Sequence, residues 1–148
     1  MFNPSRADAR TFFFETWRKH KAGAPLSPLE GMLVDILLAH PEYHCVLDEP
    51  ERSIEQEYFP EQGETNPFLH LAMHLAIMEQ DSIDQPPGIR RAYANLAATR
   101  QDAHQAQHVI MECLAETIWQ AQRHGTDFDG ASYLKCIERA GTRPLSRG

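Results

Sequence analysis

Three cysteines in 148 residues are too few for a disulfide framework. Cys45, Cys113 and Cys136 lie far apart and form no CxxC, so no thiolate zinc site is signalled either. They read as three reduced, mostly buried thiols, the usage expected of a cytoplasmic protein. Long apolar runs are missing too. None approaches the roughly 18–20 residues of a membrane span, which excludes a spanning helix. The opening MFNPSRADAR lacks the basic run, apolar stretch and cleavage site of a secretory signal. Positive charge is scarce: 14 Lys and Arg against 21 Asp and Glu leave a net charge of -7. Without a basic stripe, a nucleic-acid partner is disfavoured. No GxGxxG, P-loop, GxSxG or HExxH occurs, so neither a reaction nor a substrate is named, and whether the chain is an enzyme stays open. Alternation of apolar and polar residues does not persist over any turn-bounded stretch, so no strand is expected.

Helix punctuation is abundant. Asn3-Pro4 offers an Asn N-cap and a proline in the first turn, opening a helix that runs to about Ala22 before Gly23. Ser27-Pro28-Leu29-Glu30 is a capping box and begins a second helix, which Pro41 should end near Ala39. Pro41 can start a short helix to about Leu47. Residues 49–65 hold Pro50, Pro60, Gly63 and many acids and read as a long loop. Further helices are expected from Pro67 to about Ser82, Gly88 to Ala98, Ala103 to Arg123, and from Asp129 to about Ala140, with a frayed tail at 142–148. The expected fold is all-α: a compact bundle or orthogonal array of about six or seven helices in a single domain. The helices from Pro67 and Ala103 should be central.

Histidine is the residue type whose placement stands out. Six of the eight histidines form three pairs at spacing four: His40 and His44, His70 and His74, His104 and His108. Random placement would give about 0.4 such pairs. Residues four apart on a helix share a face, with β-carbons about 5–6 Å apart, so two imidazoles can converge on one divalent ion. Helical bundles build metal sites from such pairs on facing helices. At a helical step of about 100°, His70 and His74 lie beside an apolar face of Leu71, Ala72, Leu75 and Ala76. His104, His108 and Glu112 climb a stripe next to Ala106, Ile110, Cys113, Leu114 and Ala121. Met111, Ala115 and Trp119 flank that stripe, so a second face of this helix is expected to be covered. Glu112 is a candidate ligand, general base or partner that orients a ligating histidine. His40 and His44 bracket Pro41 and rank below the other pairs. His20 and His124, beside basic residues at helix C-termini, suit the helix dipole instead.

Phe13, Phe14 and Trp17 share one helical face and read as core. Glu79 falls near the apolar face of its helix, where pairing with Arg90 or Arg91 is the expected outcome.

The strings HPEYH at 40–44, NPFLHLAMH at 66–74 and HVIMECLAETIWQAQR at 108–123, with the opening MFNPSR and SIDQPPGIR, resemble a proteobacterial domain-of-unknown-function family, number 1841. The resemblance spans nearly the whole chain. It implies a bacterial cytoplasmic protein and brings no activity or catalytic residue with it.

Two readings follow. In the first, the chain binds a divalent metal through His70, His74, His104, His108, Glu112, His40 and His44, with zinc ahead of iron because no bridging carboxylates of a di-iron site are evident. An open coordination position would then permit hydrolysis. The alternative is a non-catalytic interaction module with a purely structural histidine seam. Its acidic surface, including residues 49–64, would meet a protein partner or a second copy of the chain. No membrane is expected as a partner in either case.

Overall fold

Proline and glycine decide where the helices begin and end. The computed structural model describes residues 4–59 and 62–142, with side-chain environments from residue 8 onward; the Asn3 cap and the 143–148 tail lie outside the described residues. Eight α-helices occur among the described residues, and no strand. They are α1 (Pro4–Ala22), α2 (Pro28–Leu38), α3 (His44–Leu47), α4 (Pro50–Ser53), α5 (Pro67–Ile83), α6 (Ile89–Arg100), α7 (Ala103–His124) and α8 (Gly130–Thr142), with a 3-10 turn over Pro41–Tyr43. Gly125 closes α7 with a left-handed φ of +63°, its N–H donating to the carbonyls of Ala121 and Gln122. The expected long loop at 49–65 is broken by α4, because Pro50 supplies a first-turn proline there.

The chain divides into two compact units, 1–75 and 76–148, and the division falls inside α5. In the first unit, α1 contributes Phe13, Phe14 and Trp17, all buried, to a core completed by Leu33, Val34, Ile36, Leu37, Leu47, Phe68 and Leu71. Phe14 meets Phe68 edge-on at 5.7 Å, and Phe13 stacks on the same ring at 6.2 Å. Arg10 is 3% exposed. Its Nη1 donates to three carbonyls at the end of α4, those of Ser53, Ile54 and Gln56, at 2.8–3.1 Å. The guanidinium carbon lies 4.4 Å from the Phe68 ring centroid. One cation thus ties α1, the segment after α4 and the first turn of α5.

The second unit is built on the inward stripe of α7. Ala106, Ile110, Cys113, Leu114 and Thr117 are buried there, together with Leu96 and Ile89 of α6 and Tyr133, Ile137 and Ala140 of α8. Tyr133 donates its hydroxyl proton to Gln80 Oε1 at 2.6 Å, and burial pushes that phenol far above its ordinary pKa. Three expectations are corrected in this unit. Cys113 and Cys136 are joined in a disulfide across α7 and α8, and Cys45, in the first unit, is exposed; the reading of three reduced, buried thiols does not hold. A pairing across 23 residues leaves no local spacing to read. The second face of α7 is covered only along its first half, where His104 and His108 are half-buried and Met111 is buried, while Glu112, Ala115 and Trp119 are exposed. Glu79 is exposed, while Arg90 donates to the carbonyls of Asp81 and Ser82 at the end of α5.

Two outcomes follow from these contacts. Arg10→Met leaves three carbonyls to find other partners and should cost about 2–4 kcal/mol in urea unfolding. Arg10→Lys should recover less than half, because a compact, strongly hydrated ammonium does not reproduce the stacking of the planar guanidinium on Phe68. The second outcome concerns Glu30, whose carboxylate accepts from Lys19 Nζ at 2.8 Å and from the Ser27 N–H at 2.9 Å. These bonds hold its pKa below the ordinary value. A depressed carboxylate contributes above its unfolded pKa and loses that contribution as pH falls through the folded one. The stability gap between the native chain and Glu30→Gln should therefore be level near neutrality and close as the pH drops below about 4.5. A gap that widens in acid contradicts this.

Candidate metal centre

The first candidate residues arise from the way α2 ends. Pro41 bars its predecessor from helical geometry, and His40 sits at φ -127°, ψ 64°, just past the last turn. The last carbonyls of a helix lack regular intrahelical partners. Those of Ile36 and Leu37 accept short i→i+3 bonds from the N–H groups of Ala39 and His40, both 3.1 Å, and two imidazoles add a second donor to each. His40 Nδ1 meets the Ile36 carbonyl at 2.8 Å, and His44 Nε2 meets the Leu37 carbonyl at 2.7 Å. A carbonyl only accepts, so each of these ring nitrogens carries the proton. In the neutral ring His40 then holds its lone pair on Nε2, and His44 on Nδ1. His40 is 3% exposed, with Tyr43 stacked parallel to it at 5.7 Å.

Helix α5 supplies the next pair. The Asn66 side chain accepts from the N–H groups of Phe68 and Leu69, so Asn66 fixes the start of the helix. The Phe68 contacts with α1 and Arg10 set its rotation. With that rotation the inward stripe is Phe68, Leu71, His74 and Ile77, at steps of three, while Ala72, Leu75 and Ala76 are only half-buried. A histidine 1% exposed thus stands where the sequence pattern favours a leucine. The His74 ring lies 4.7 Å from that of His40, and His70, one turn earlier and half-buried, lies 4.8 Å from His74 and 5.1 Å from His40.

The third pair stands in the opening turns of α7. Asp102 caps this helix, accepting from the N–H groups of His104 and Gln105. His104 and His108 are half-buried, with ring centroids 4.4 Å apart. Gln107, between them, donates to the Tyr93 hydroxyl at 2.7 Å, and burial raises the pKa of that phenol.

His40, His74, His104 and His108 each offer a ring nitrogen, and these four atoms lie within 4.8 Å of one another. A cluster of four histidines with this spacing can hold a metal ion. Of the seven residues singled out from the sequence, these four are brought together. His44 is placed on the α2 carbonyl and against Trp17, at 4.4 Å between ring centroids. His70 adjoins His40 and His74 without belonging to the group of four, and Glu112 is exposed on α7. Two of the three HxxxH pairs thus contribute one nitrogen each or are split, and only His104 and His108 contribute as a pair. The role of His40 was the hardest to read in advance, because the break at Pro41 removes it from any helical wheel. The available signal was the Leu-Leu-Ala-His-Pro end of α2, which leaves carbonyls facing the first polar ring past the helix.

The opposite hydrogen bonds of His40 and His44 are testable in solution. In metal-free protein, long-range nitrogen–proton NMR correlations should report His40 protonated at Nδ1 and His44 at Nε2. The same tautomer at both residues contradicts the arrangement.

A model of a family described as a domain of unknown function matches residues 5–139 of the chain. No curated protein and no solved structure matches it. No described helix is long and apolar enough to cross a membrane.

Proposed function

We propose that the chain, which belongs to the domain-of-unknown-function family DUF1841, holds one divalent transition-metal ion on His40, His74, His104 and His108, with zinc the favoured ion and iron second. The observation that carries this reading is the approach of the four ring nitrogens to within 4.8 Å. Four imidazoles bound tetrahedrally at about 2.0–2.1 Å would place their nitrogens about 3.3–3.4 Å apart, so side-chain adjustments of an ångström or two complete the shell. The Ile36 carbonyl supports the reading as well. Ligating histidines commonly give their other ring N–H to a backbone carbonyl, which fixes the ring and aims the lone pair; His40 does so.

The donor set also narrows the chemistry. Neutral nitrogen ligands suit zinc, copper, nickel and iron and disfavour magnesium and calcium. With Glu112 exposed and away from the four, no carboxylate bridge is at hand for a di-iron centre. Four protein ligands fill a zinc ion's tetrahedron and leave no position for water, the pattern of a structural site. The ion's work on this reading is to order the chain around the histidines, and hydrolysis is not part of it.

The test uses untagged protein, since a histidine tag would itself carry metal. After reconstitution with zinc and desalting, elemental analysis should find about one ion per chain, with a rise in melting temperature that grows with free zinc. His74→Ala and His104→Ala should each lose the ion, whereas His44→Ala should keep it. His104 is half-buried, so its variant should fold even if the His74 variant does not; circular dichroism decides that. Because protons and metal compete for the same lone pairs, uptake should weaken on acidification. Less than about a tenth of an ion per chain, with no zinc-dependent melting shift, would leave a structural histidine seam and remove the metal reading.

A further inference from the structure

The disulfide of the second unit has one protected side and one approachable side. Cys113 lies on the inward stripe of α7 and is 2% exposed. Cys136, on α8, is half-buried and lines a cavity of about 420 Å³. That cavity has an uneven charge. Glu116, Asp127 and Asp129 contribute carboxylates to its lining, against the guanidinium of Arg139 and the imidazole of His124. Asp129 accepts both the N–H and the hydroxyl proton of Ser132, which holds its carboxyl below the usual carboxylate range. The whole chain, at a net charge of -7, adds to the negative field.

We infer that Cys136 is a thiol–disulfide exchange site, reached through this cavity and selective for small thiols that carry an ammonium group. Exchange needs a thiolate in line with the sulfur–sulfur bond, behind the sulfur it attacks. Cys136 presents a cavity to such an approach, whereas Cys113 is buried. The incoming sulfur bonds to Cys136 Sγ, the bond to Cys113 breaks, and Cys113 leaves as a thiolate with the bonding pair. A second thiol then attacks the small-molecule sulfur of the mixed disulfide and releases Cys136. Two thiols are oxidised to one small-molecule disulfide, the protein disulfide takes up their two electrons, and their protons end on Cys113 and Cys136. The ammonium group would be drawn to the carboxylates of the lining while the thiolate meets Cys136. An anionic thiol would be repelled from the same mouth.

The experiment uses the full chain with Cys45→Ser, because Cys45 is exposed and would scramble the products. Oxidised protein is exposed at low ionic strength to cysteamine, 2-mercaptoethanol or 2-mercaptoethanesulfonate at equal thiolate concentration. It is then quenched in acid, alkylated and mapped by peptide mass spectrometry. The thiol adduct should appear on Cys136 and the alkyl group on Cys113. The rates should fall in the order cysteamine, mercaptoethanol, sulfonate, with at least about a fivefold spread that shrinks in 0.5 M salt. Glu116→Gln with Asp127→Asn should narrow the spread without changing the adduct position; Asp129 is left intact because it caps α8. An adduct on Cys113, a sulfonate as fast as cysteamine, or alkylation of both cysteines before any reductant is added would each overturn the inference. So would a folded protein that stays inert while the same chain in urea reacts.

Discussion

The chain itself gives the Ile36 and Leu37 carbonyls at the end of α2 only short i→i+3 bonds, and two imidazoles supply each with a second donor. Proline ends the helix at a chosen residue, the backbone turns, and the side chains of His40 and His44 fold back over the last turn. This has two effects of different kinds. The helix end gains side-chain donors, one of which, His44, lies against Trp17. The two rings also lose their freedom to flip and to exchange tautomers, so each offers a lone pair in one direction. Whatever the histidines do depends on this stop: without it His40 would sit on an ordinary helix face and point along the α2 stripe.

Much of the fold was legible because its punctuation is strong. The capping box at Ser27 and Glu30 is formed by both reciprocal bonds. α1 runs from Pro4 to Ala22, and α7 starts after Asp102 and stops at Gly125, as the residue types demand. α4 was not visible, since four residues carry no periodicity and Pro50 reads equally as loop or first turn. The disulfide was invisible for a related reason: Cys113 and Cys136 become neighbours only through the packing of α7 on α8, which no spacing in the chain encodes. Chemical type and interval showed the pairs of histidines, but not which members converge. On α5 the wheel put the apolar face on Leu71, Ala72, Leu75 and Ala76, of which Leu71 is buried and the other three half-buried. Aromatic contacts at Phe68 rotate the helix until His74 is the buried residue, and a wheel drawn from one helix contains no partner to do that.

The two units manage their polar interior groups differently. In the first, a single guanidinium serves three carbonyls, and imidazoles serve two more, so cationic and aromatic nitrogen does the satisfying. In the second, hydroxyl groups take that part. The Thr117 hydroxyl donates to the Cys113 carbonyl, and Tyr133 reaches Gln80. The covalent link falls in the second unit, where it joins α7 to α8 across a short loop.

The contacts of Arg10 with Phe68 can also be expressed as an angular tolerance. A side-chain tip on α5 stands about 5–6 Å from the helix axis, so a rotation of about 20° carries it sideways by about 2 Å. Side-chain adjustments of an ångström or two absorb no more than about 10–20° of such rotation, so the ring of His74 stays beside that of His40 only if α5 is held in phase to within that range. Leucine packing, which yields by rotamer changes, is a soft bearing for that purpose. A planar cation seated on Phe68 and locked to three carbonyls is a stiffer one, and it engages the helix two turns before the imidazole whose aim it sets.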